Sequence, residues 1–170
     1  MEESKIIVHG TTRQSVILGM LNAYLAINPK TTLSDLNRAF PVTLKSDAAG
    51  KCNNLFIRLK DFYDLEEELQ SLFCAEYDEV LTLSNNTKVV FQREWQSDDF
   101  ENLVKRFKQY GIEVTDTKPS GVYEKGGFAL EYTDNYIQFL KKERKKGVMC
   151  IYVCLFSCLL LVIILLLARI

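Results

Sequence analysis

The chain closes with VMCIYVCLFSCLLLVIILLLARI, residues 148–170, in which 21 consecutive residues up to Ala168 carry no charge. Fourteen of these 21 residues are Leu, Ile, Val or Phe. At about 1.5 Å rise per residue, a helix of this length crosses the roughly 30 Å hydrocarbon core of a bilayer. A surface helix of a soluble fold keeps a polar face, whereas this run is apolar on every face. The sequence therefore predicts one C-terminal transmembrane helix over residues 148–168 and a domain carried ahead of it.

Basic residues flank the apolar run unequally. Only Arg169 follows it, whereas five basic residues lie just before it and form a basic collar: Lys141, Lys142, Arg144, Lys145 and Lys146. Because basic flanks stay on the cytoplasmic side, this asymmetry places residues 1–147 in the cytoplasm. The opening residues, MEESKIIVHG, contain no long apolar stretch that would act as a signal peptide. We expect a tail-anchored, single-pass protein with a cytoplasmic N-terminus, in the inner or plasma membrane if the source is bacterial.

The charge of the chain divides at the basic collar. Residues 141–170 hold six basic residues and one acidic residue, so residues 1–140 hold 15 basic and 21 acidic residues and a net charge of −6. A negative domain is repelled by phosphate backbones, which argues against nucleic acid as a partner. The basic collar fits the anionic cytoplasmic leaflet, at about 1 kcal/mol per basic residue. We therefore expect the lipid bilayer as the first partner.

A stripe of small side chains follows one face of the predicted transmembrane helix. Cys150, Cys154, Ser157 and Cys158 stand at positions i, i+4, i+7 and i+8. Small side chains let two helices approach closely in lipid, so this stripe is a candidate packing face for self-association. Two alternatives stay open. The cysteines near the collar could carry palmitate, or the stripe is neutral because cysteine behaves as a small hydrophobe.

The residues ahead of the anchor alternate between helical and strand patterns. The patterns predict a strand at 4–8, helices at 12–28 and 32–40, a hairpin at 78–95, a helix at 97–111, and strands at 112–115 and 127–132. Residues 55–73 are ambiguous, since LFIRL favours a strand and DLEEELQSLF favours a helix. Without regular βαβ alternation, the mixture predicts an α+β cytosolic domain over residues 1–132. A basic juxtamembrane segment, 133–147, then joins this domain to the transmembrane helix, 148–168.

Polar residues mark the expected ends of these elements. Thr12 opens the first helix, and Thr32 followed by Asp35 gives a capping pattern for the second. Ser97 is the expected cap of the helix that carries the apolar positions Phe100, Leu103, Val104 and Phe107. In the hairpin, Asn85-Asn86 provides the turn, because asparagine tolerates positive φ.

The first two thirds of the domain also fit a winged helix. If residues 55–63 form a third helix, the order of three helices and a hairpin is the order of that fold. The third helix would present only Arg58 and Lys60 to DNA. Two forms therefore stay open, a winged-helix-like domain used for protein contacts and one that binds nucleic acid.

The sequence offers few residues for catalysis. His9 is the only histidine, and no nucleophile motif accompanies it, so we interpret it as structural or exposed. Lys125-Gly126-Gly127 lacks the surrounding pattern of a phosphate-binding loop and reads as a turn before a strand. Cys52 and Cys74 have no metal-site spacing and are expected to be free thiols. We expect no enzyme activity, no cofactor and no metal.

Two stretches resemble bacterial proteins of unknown function. FENLVKRFKQYGIEV together with KGGFALEY, within residues 100–132, is similar to a segment of that group, and so is AYLAINPKTTLSDLNRAFP, residues 23–41. The resemblance covers about half of the soluble part and implies a bacterial source, without any catalytic or binding residue.

Together these features predict a tail-anchored membrane protein that self-associates through its span. Its cytosolic domain would sense or bind an unknown protein or signal, and in a bacterium it would act as a membrane effector that perturbs the envelope. The alternative is a membrane-tethered, winged-helix-like regulator that binds nucleic acid.

Overall fold

The computed structural model describes residues 5–46, 53–76, 78–117, 119 and 121–143. These residues form an α+β fold with two sheets, which confirms the predicted class. In this part of the chain no helix is long and apolar enough to span a membrane. The predicted span 148–168, with its packing face Cys150, Cys154, Ser157 and Cys158, lies outside the described residues. So do three of the collar residues, Arg144, Lys145 and Lys146.

The elements follow one another with short connections. In chain order they are β1 (Ile6–Gly10), α1 (Arg13–Ile27), α2 (Leu33–Ala39), a 3-10 turn (Val42–Leu44), β2 (Phe56–Arg58), α3 (Leu59–Tyr63), α4 (Glu67–Gln70), β3 (Phe73–Cys74), β4 (Leu81–Thr82), β5 (Lys88–Gln92), α5 (Ser97–Lys108), β6 (Ile112–Val114) and β7 (Phe128–Tyr132). Residues 134–143 are also helical as far as the structure describes them, and we call this helical stretch α6. The chain divides into two compact units, Met1–Glu131 and Tyr132–Ile170.

The first sheet has the strand order β6-β1-β7 and packs against α1 and α5. β1 pairs in parallel with β6, so that Ile6 lies opposite Ile112 and Val8 opposite Val114. Ile6, Val8 and Ile112 are fully buried. Burial of these branched side chains, at about 25 cal/mol per Å² of apolar surface, holds the first sheet to α1.

Helix α1 is buried on nearly all sides. Val16, Met20 and Tyr24 recur at the helical spacing and are buried, and Leu18 and Ala23, which lie off that spacing, are buried as well. The apolar period of 3.6 residues therefore predicted the helix correctly, but it did not predict that nearly every side of the helix is buried. Because so few of its side chains are polar, α1 is the central helix of the domain.

The second sheet is built around β5. β2 and β3 pair antiparallel with β5 on either side, and β4 also pairs with β5, with Leu81 opposite Val89. This pairing confirms the predicted hairpin, and Asn86 in its turn has φ 59°. Phe73 and Val90 from this sheet pack with Phe62 of α3 in a second apolar core.

The ambiguous stretch 55–73 contains both predicted structures. Phe56–Arg58 is a strand, whereas Leu59–Tyr63 and Glu67–Gln70 are helices of five and four residues. The strand forms because Phe56 lies opposite Phe91 and Ile57 opposite Val90 in the antiparallel ladder. A partner strand more than thirty residues away thus decides the conformation, as often happens for short apolar runs.

Two of the three predicted helix caps are confirmed. Thr12 and Ser15 form a reciprocal capping box at α1, and Thr32 and Asp35 form another at α2. The prediction that Ser97 caps α5 is wrong, because Gln96 occupies the N-cap position and makes no side-chain capping bond. Gly111, the last residue of the predicted helix range 97–111, has φ 75° and ends the turn after α5.

Candidate functional site

The site is a groove above a cluster of aromatic rings that three helices bring together. Tyr24 lies on α1, Phe40 ends α2, Phe107 lies on α5 and Tyr110 follows α5. The Tyr24 ring meets Phe40 and Tyr110 edge to face, with centroids 5.0 and 4.9 Å apart. Phe40 and Phe107 stack at 4.3 Å. Each such pair adds about 0.5–1.5 kcal/mol beyond the area it buries, so the floor of the groove is rigid.

The groove has a volume of about 660 Å³ and an uneven balance of charge. Three basic side chains line it, against one acidic side chain: Lys30, Arg38 and Arg106, against Asp35. This excess of positive charge is local, since residues 1–140 carry a net charge of −6. A concave site with one sign of charge concentrates ligands of the opposite sign.

Arg106 is held in the groove by neutral partners. Its Nε donates to the carbonyl oxygen of Ala39 at 2.8 Å, and its Nη1 donates to Oε1 of Gln109 at 2.8 Å. Its guanidinium also lies 5.6 Å from the centroid of the Tyr110 ring, in cation–π geometry. None of these partners is a carboxylate, so the positive charge of Arg106 is fixed in position and is not neutralised.

The single acidic residue of the groove is already engaged. The Asp35 carboxylate accepts from the backbone N–H and the hydroxyl of Thr32, at 3.1 and 2.7 Å, and it pairs with Arg38. The hydrogen bonds from Thr32 lower the pKa of Asp35. Asp35 therefore stabilises the N-terminus of α2. Arg106 and Lys30 provide the positive charge that is available to a ligand in the groove.

Tyr24 supplies a neutral hydroxyl to the groove. Burial raises the pKa of the Tyr24 phenol, and the neighbouring Tyr110 raises that pKa further. The phenol therefore stays protonated throughout the physiological pH range and is a hydrogen-bond donor, although Thr31 is already a side-chain partner of its oxygen. Such a donor, beside a fixed guanidinium, suits an oxyanion.

The only histidine of the chain lies elsewhere and makes a structural connection. His9, buried in β1, has Nδ1 2.8 Å from the Thr117 carbonyl oxygen and Nε2 3.2 Å from the Glu131 carboxylate. Both ring nitrogens therefore lie within hydrogen-bond distance of an acceptor oxygen. His9 thus ties β1 to β7 and to the segment after β6.

The structure places the described part of the predicted basic collar on an exposed surface. Lys141 and Lys142 are helical residues of α6 and are exposed. Gly126 and Gly127, with φ of 91° and 74°, form the predicted turn before β7. Among the described residues, no cluster of three or more His, Cys, Asp or Glu side chains could hold a metal ion.

The groove was not predicted from the sequence. Arg106 and Tyr110 are four residues apart at the end of a helix, a spacing that brings two side chains together and could have been noticed. Tyr24 and Lys30 reach the same place only through tertiary packing, in which the Tyr24 ring meets the Tyr110 ring, and no local pattern records this.

Comparisons of the chain with protein-family models, with curated proteins and with solved structures give no match.

Proposed function

We propose that this chain is a tail-anchored, single-pass membrane protein whose domain of residues 1–132 senses an anionic ligand in the groove at Arg106. The observation that carries the sensing role is the fixed, unneutralised guanidinium of Arg106 above an aromatic floor. The membrane role is supported by the sequence, in which a basic collar precedes 21 uncharged residues.

The groove favours a phosphate or carboxylate group attached to a small planar body. Guanidinium groups bind both anions through paired hydrogen bonds, and an aromatic floor favours a flat ligand. A cavity of about 660 Å³ is within the range of small-molecule sites. The residues that line the groove contain no cysteine or histidine that would act as nucleophile or base, so binding is the role we propose.

The sensing role is tested by titrating the full-length protein, in detergent, with phenyl phosphate and with benzoate. We expect both probes to shift the ring resonances of Tyr24 and Tyr110, and Arg106→Gln to weaken binding at least tenfold. Lys105→Gln is the matched control, because it removes the same charge one residue away, where Lys105 pairs with Glu101 at 3.9 Å. Equal binding by the two variants, or no binding of either probe, would contradict the proposal.

Self-association through the predicted packing face completes the proposed function. Full-length protein in detergent should behave as an oligomer in light scattering, and changing Cys150, Cys154, Ser157 and Cys158 to Leu should dissociate it. In intact cells, a tag at the N-terminus should be inaccessible from outside, and the protein should resist extraction at alkaline pH. An outer-face tag or release at alkaline pH would overturn the membrane assignment. In a bacterium, such a protein would act as an effector that disturbs the envelope when its ligand binds.

A membrane-tethered, winged-helix-like regulator remains the second candidate, and one observation favours it. A basic cavity of about 490 Å³ is lined by Arg58, Lys60 and Lys88 beside the exposed ring of Tyr63. Against it, α3 has only five residues, about one and a half turns, in the place of a recognition helix. Arg58 also pairs with Asp61 at 2.8 Å. Salt-sensitive binding of duplex DNA by the full-length protein would favour this candidate over the first.

A further inference from the structure

Helix α6, residues 134–143, carries a ladder of aromatic rings on one face. Tyr132, at the end of β7, stacks on Tyr136, and Tyr136 stacks on Phe139, with centroids 6.4 and 6.1 Å apart. The ring planes differ by only 9° and 13°. Leu140 lies beside them, since positions 136, 139 and 140 share one side of a helix. The four side chains form one apolar strip, which we call the aromatic strip.

The aromatic strip is open to solvent. Phe139 is 54% exposed and Leu140 is 43% exposed, although both belong to the residue types that usually bury. The strip is continuous along the helix, and a continuous exposed apolar surface marks a place of interaction. It therefore requires an occupant.

The residues that accompany and follow the aromatic strip indicate what that occupant is. Lys141 and Lys142 follow the aromatic strip along α6, are exposed, and lie on the polar side of the helix together with Gln138. The sequence continues with Arg144, Lys145 and Lys146, and the uncharged run begins at Val148. Aromatic and lysine side chains together are typical of the membrane–water interface, where the rings meet the acyl boundary and the ammonium groups meet phosphate.

We infer that α6 lies in the plane of an anionic leaflet, with Phe139, Leu140 and Tyr136 at the boundary between headgroups and acyl chains. Lys141 and Lys142, on the polar side of α6, then reach lipid phosphates through their long side chains. This inference rests on the proposed membrane anchor and adds a second, interfacial contact to it. Amphipathic helices of this kind bind through buried apolar area and through attraction to anionic lipid.

A helix that ran straight on into the bilayer would leave the aromatic strip in water. Phe139 precedes residue 148 by nine residues, which is about 13 Å of helix at 1.5 Å per residue. The headgroup layer is roughly 5–8 Å thick on each side of the bilayer, so Phe139 would lie beyond it. The in-plane orientation buries the strip, whereas the upright orientation exposes it, and the two are distinguishable by depth.

The test measures depth in the full-length protein reconstituted in nanodiscs that contain phosphatidylglycerol. Phe139→Trp places a fluorescent reporter in the strip, and Gln138→Trp places the same reporter on the exposed opposite side of α6. Lipids brominated near the headgroup should quench the tryptophan at position 139 at least threefold more than that at position 138. The native Trp95, which is buried in the first unit, is subtracted with the unmodified protein.

Lipid charge provides the second comparison. Replacing phosphatidylglycerol with phosphatidylcholine, or changing Lys141 and Lys142 to Gln, should reduce the selective quenching at position 139. Equal quenching at the two positions, quenching at neither, or cross-linking of position 139 to a second copy in its place would overturn the inference. Resistance to alkaline extraction is measured on the same samples, so loss of the anchor is distinguished from failure of the interfacial contact.

Discussion

Cys74 shows how burial governs the reactivity of a single side chain. The thiol is fully buried at the end of β3, and desolvation, followed by the neighbouring Glu79 carboxylate, raises its pKa to about 12. Only a thiolate attacks alkylating reagents, so the folded protein keeps Cys74 in its unreactive form. The sequence predicted a free thiol here but gave no information on its depth.

Alkylation of Cys74 should therefore require unfolding. At pH 8, iodoacetamide should leave Cys74 unmodified in the native protein and modify it in concentrated urea. Mass-spectrometric mapping of the peptide that contains Cys74 measures the modified fraction under both conditions. Complete modification within minutes in native buffer would show that the thiol is accessible and would contradict the burial.

Gly19 lies at a position on α1 where there is no room for a larger side chain. A Cβ atom there would lie 2.6 Å from Cγ1 of Val8 and 3.0 Å from Cβ of Phe128. The glycine thus allows α1 to approach both β1 and β7. From the sequence alone, a glycine inside a helix looks only like a position where alanine would improve helix propensity.

Gly19→Ala should destabilise the protein in spite of the better helix propensity of alanine. We expect the free energy of unfolding to fall by about 1–3 kcal/mol, the usual cost of overpacking a core. Gly121→Ala is the control, because nothing lies within 4 Å of a Cβ at that position, and it should change stability by less than about 0.5 kcal/mol. Urea titration of both variants measures the difference, and a stabilised Gly19→Ala protein would contradict the close packing.

At the scale of the element, local signals predicted the starts of helices and the hairpin correctly. The Thr12 and Thr32 caps and the Asn86 turn are decided by a few adjacent residues, so the sequence contains them. The prediction of a cap at Ser97 was wrong because α5 begins at Ser97 itself, after Gln96, and the first turn also makes a tertiary contact that no local pattern shows. Asp99 is buried and accepts from the backbone N–H and hydroxyl of Ser46, at 3.1 and 3.0 Å.

The capping box of α2 should make stability depend on pH. Because the folded-state pKa of Asp35 is lowered by Thr32, the carboxylate stabilises the fold at pH values above its unfolded pKa, about 4. This contribution is lost as the pH falls through the folded-state value. Asp35→Asn should therefore be less stable than the unmodified protein at pH 7, and the difference should shrink below pH 4.

Urea titrations of both proteins at pH 7, 5 and 3 measure this dependence. Asp61→Asn is the matched control, since Asp61 forms an exposed ion pair with Arg58 and caps no helix. A difference for Asp35→Asn that stays constant from pH 7 to pH 3 would show that the carboxylate charge does not contribute.

At the scale of the whole molecule, the described residues form two apolar cores in one compact unit. The first lies between α1 and the sheet β6-β1-β7, and the second is centred on Phe62, Phe73 and Val90. Both belong to the unit Met1–Glu131. A unit of this size commonly unfolds in one cooperative step.

Phe73→Ala should therefore weaken both cores together. Removing a fully buried phenylalanine side chain costs about 3–5 kcal/mol. Hydrogen exchange measured residue by residue should show reduced protection in β1 as well as in β5, with a single unfolding transition. Loss of protection confined to β2, β3, β4 and β5 would show instead that the second core unfolds alone.

The α+β class could be predicted from the sequence because it depends on the kinds of elements present. The groove could not, because Tyr24, Arg38 and Arg106 lie on three helices and only tertiary packing brings them together. The depth of α1 was missed for the same reason, since elements on several sides cover it. Properties that depend on a single helix, strand or turn could be predicted from the sequence, whereas properties that depend on contacts between these elements could not.

Arg106 lies in the proposed ligand site and also connects two helices of the domain. Its Nε bond to the Ala39 carbonyl oxygen joins the last residue of α2 to α5. Nη2 has no protein acceptor among the hydrogen bonds of the described residues, so an anion can bind at that edge while the link to α2 persists. A bound ligand would then add a further connection between α2 and α5. The melting temperature of the protein would therefore rise as the ligand concentration rises. The occupancy of the groove can thus be followed by calorimetry alone, before the natural ligand has been isolated.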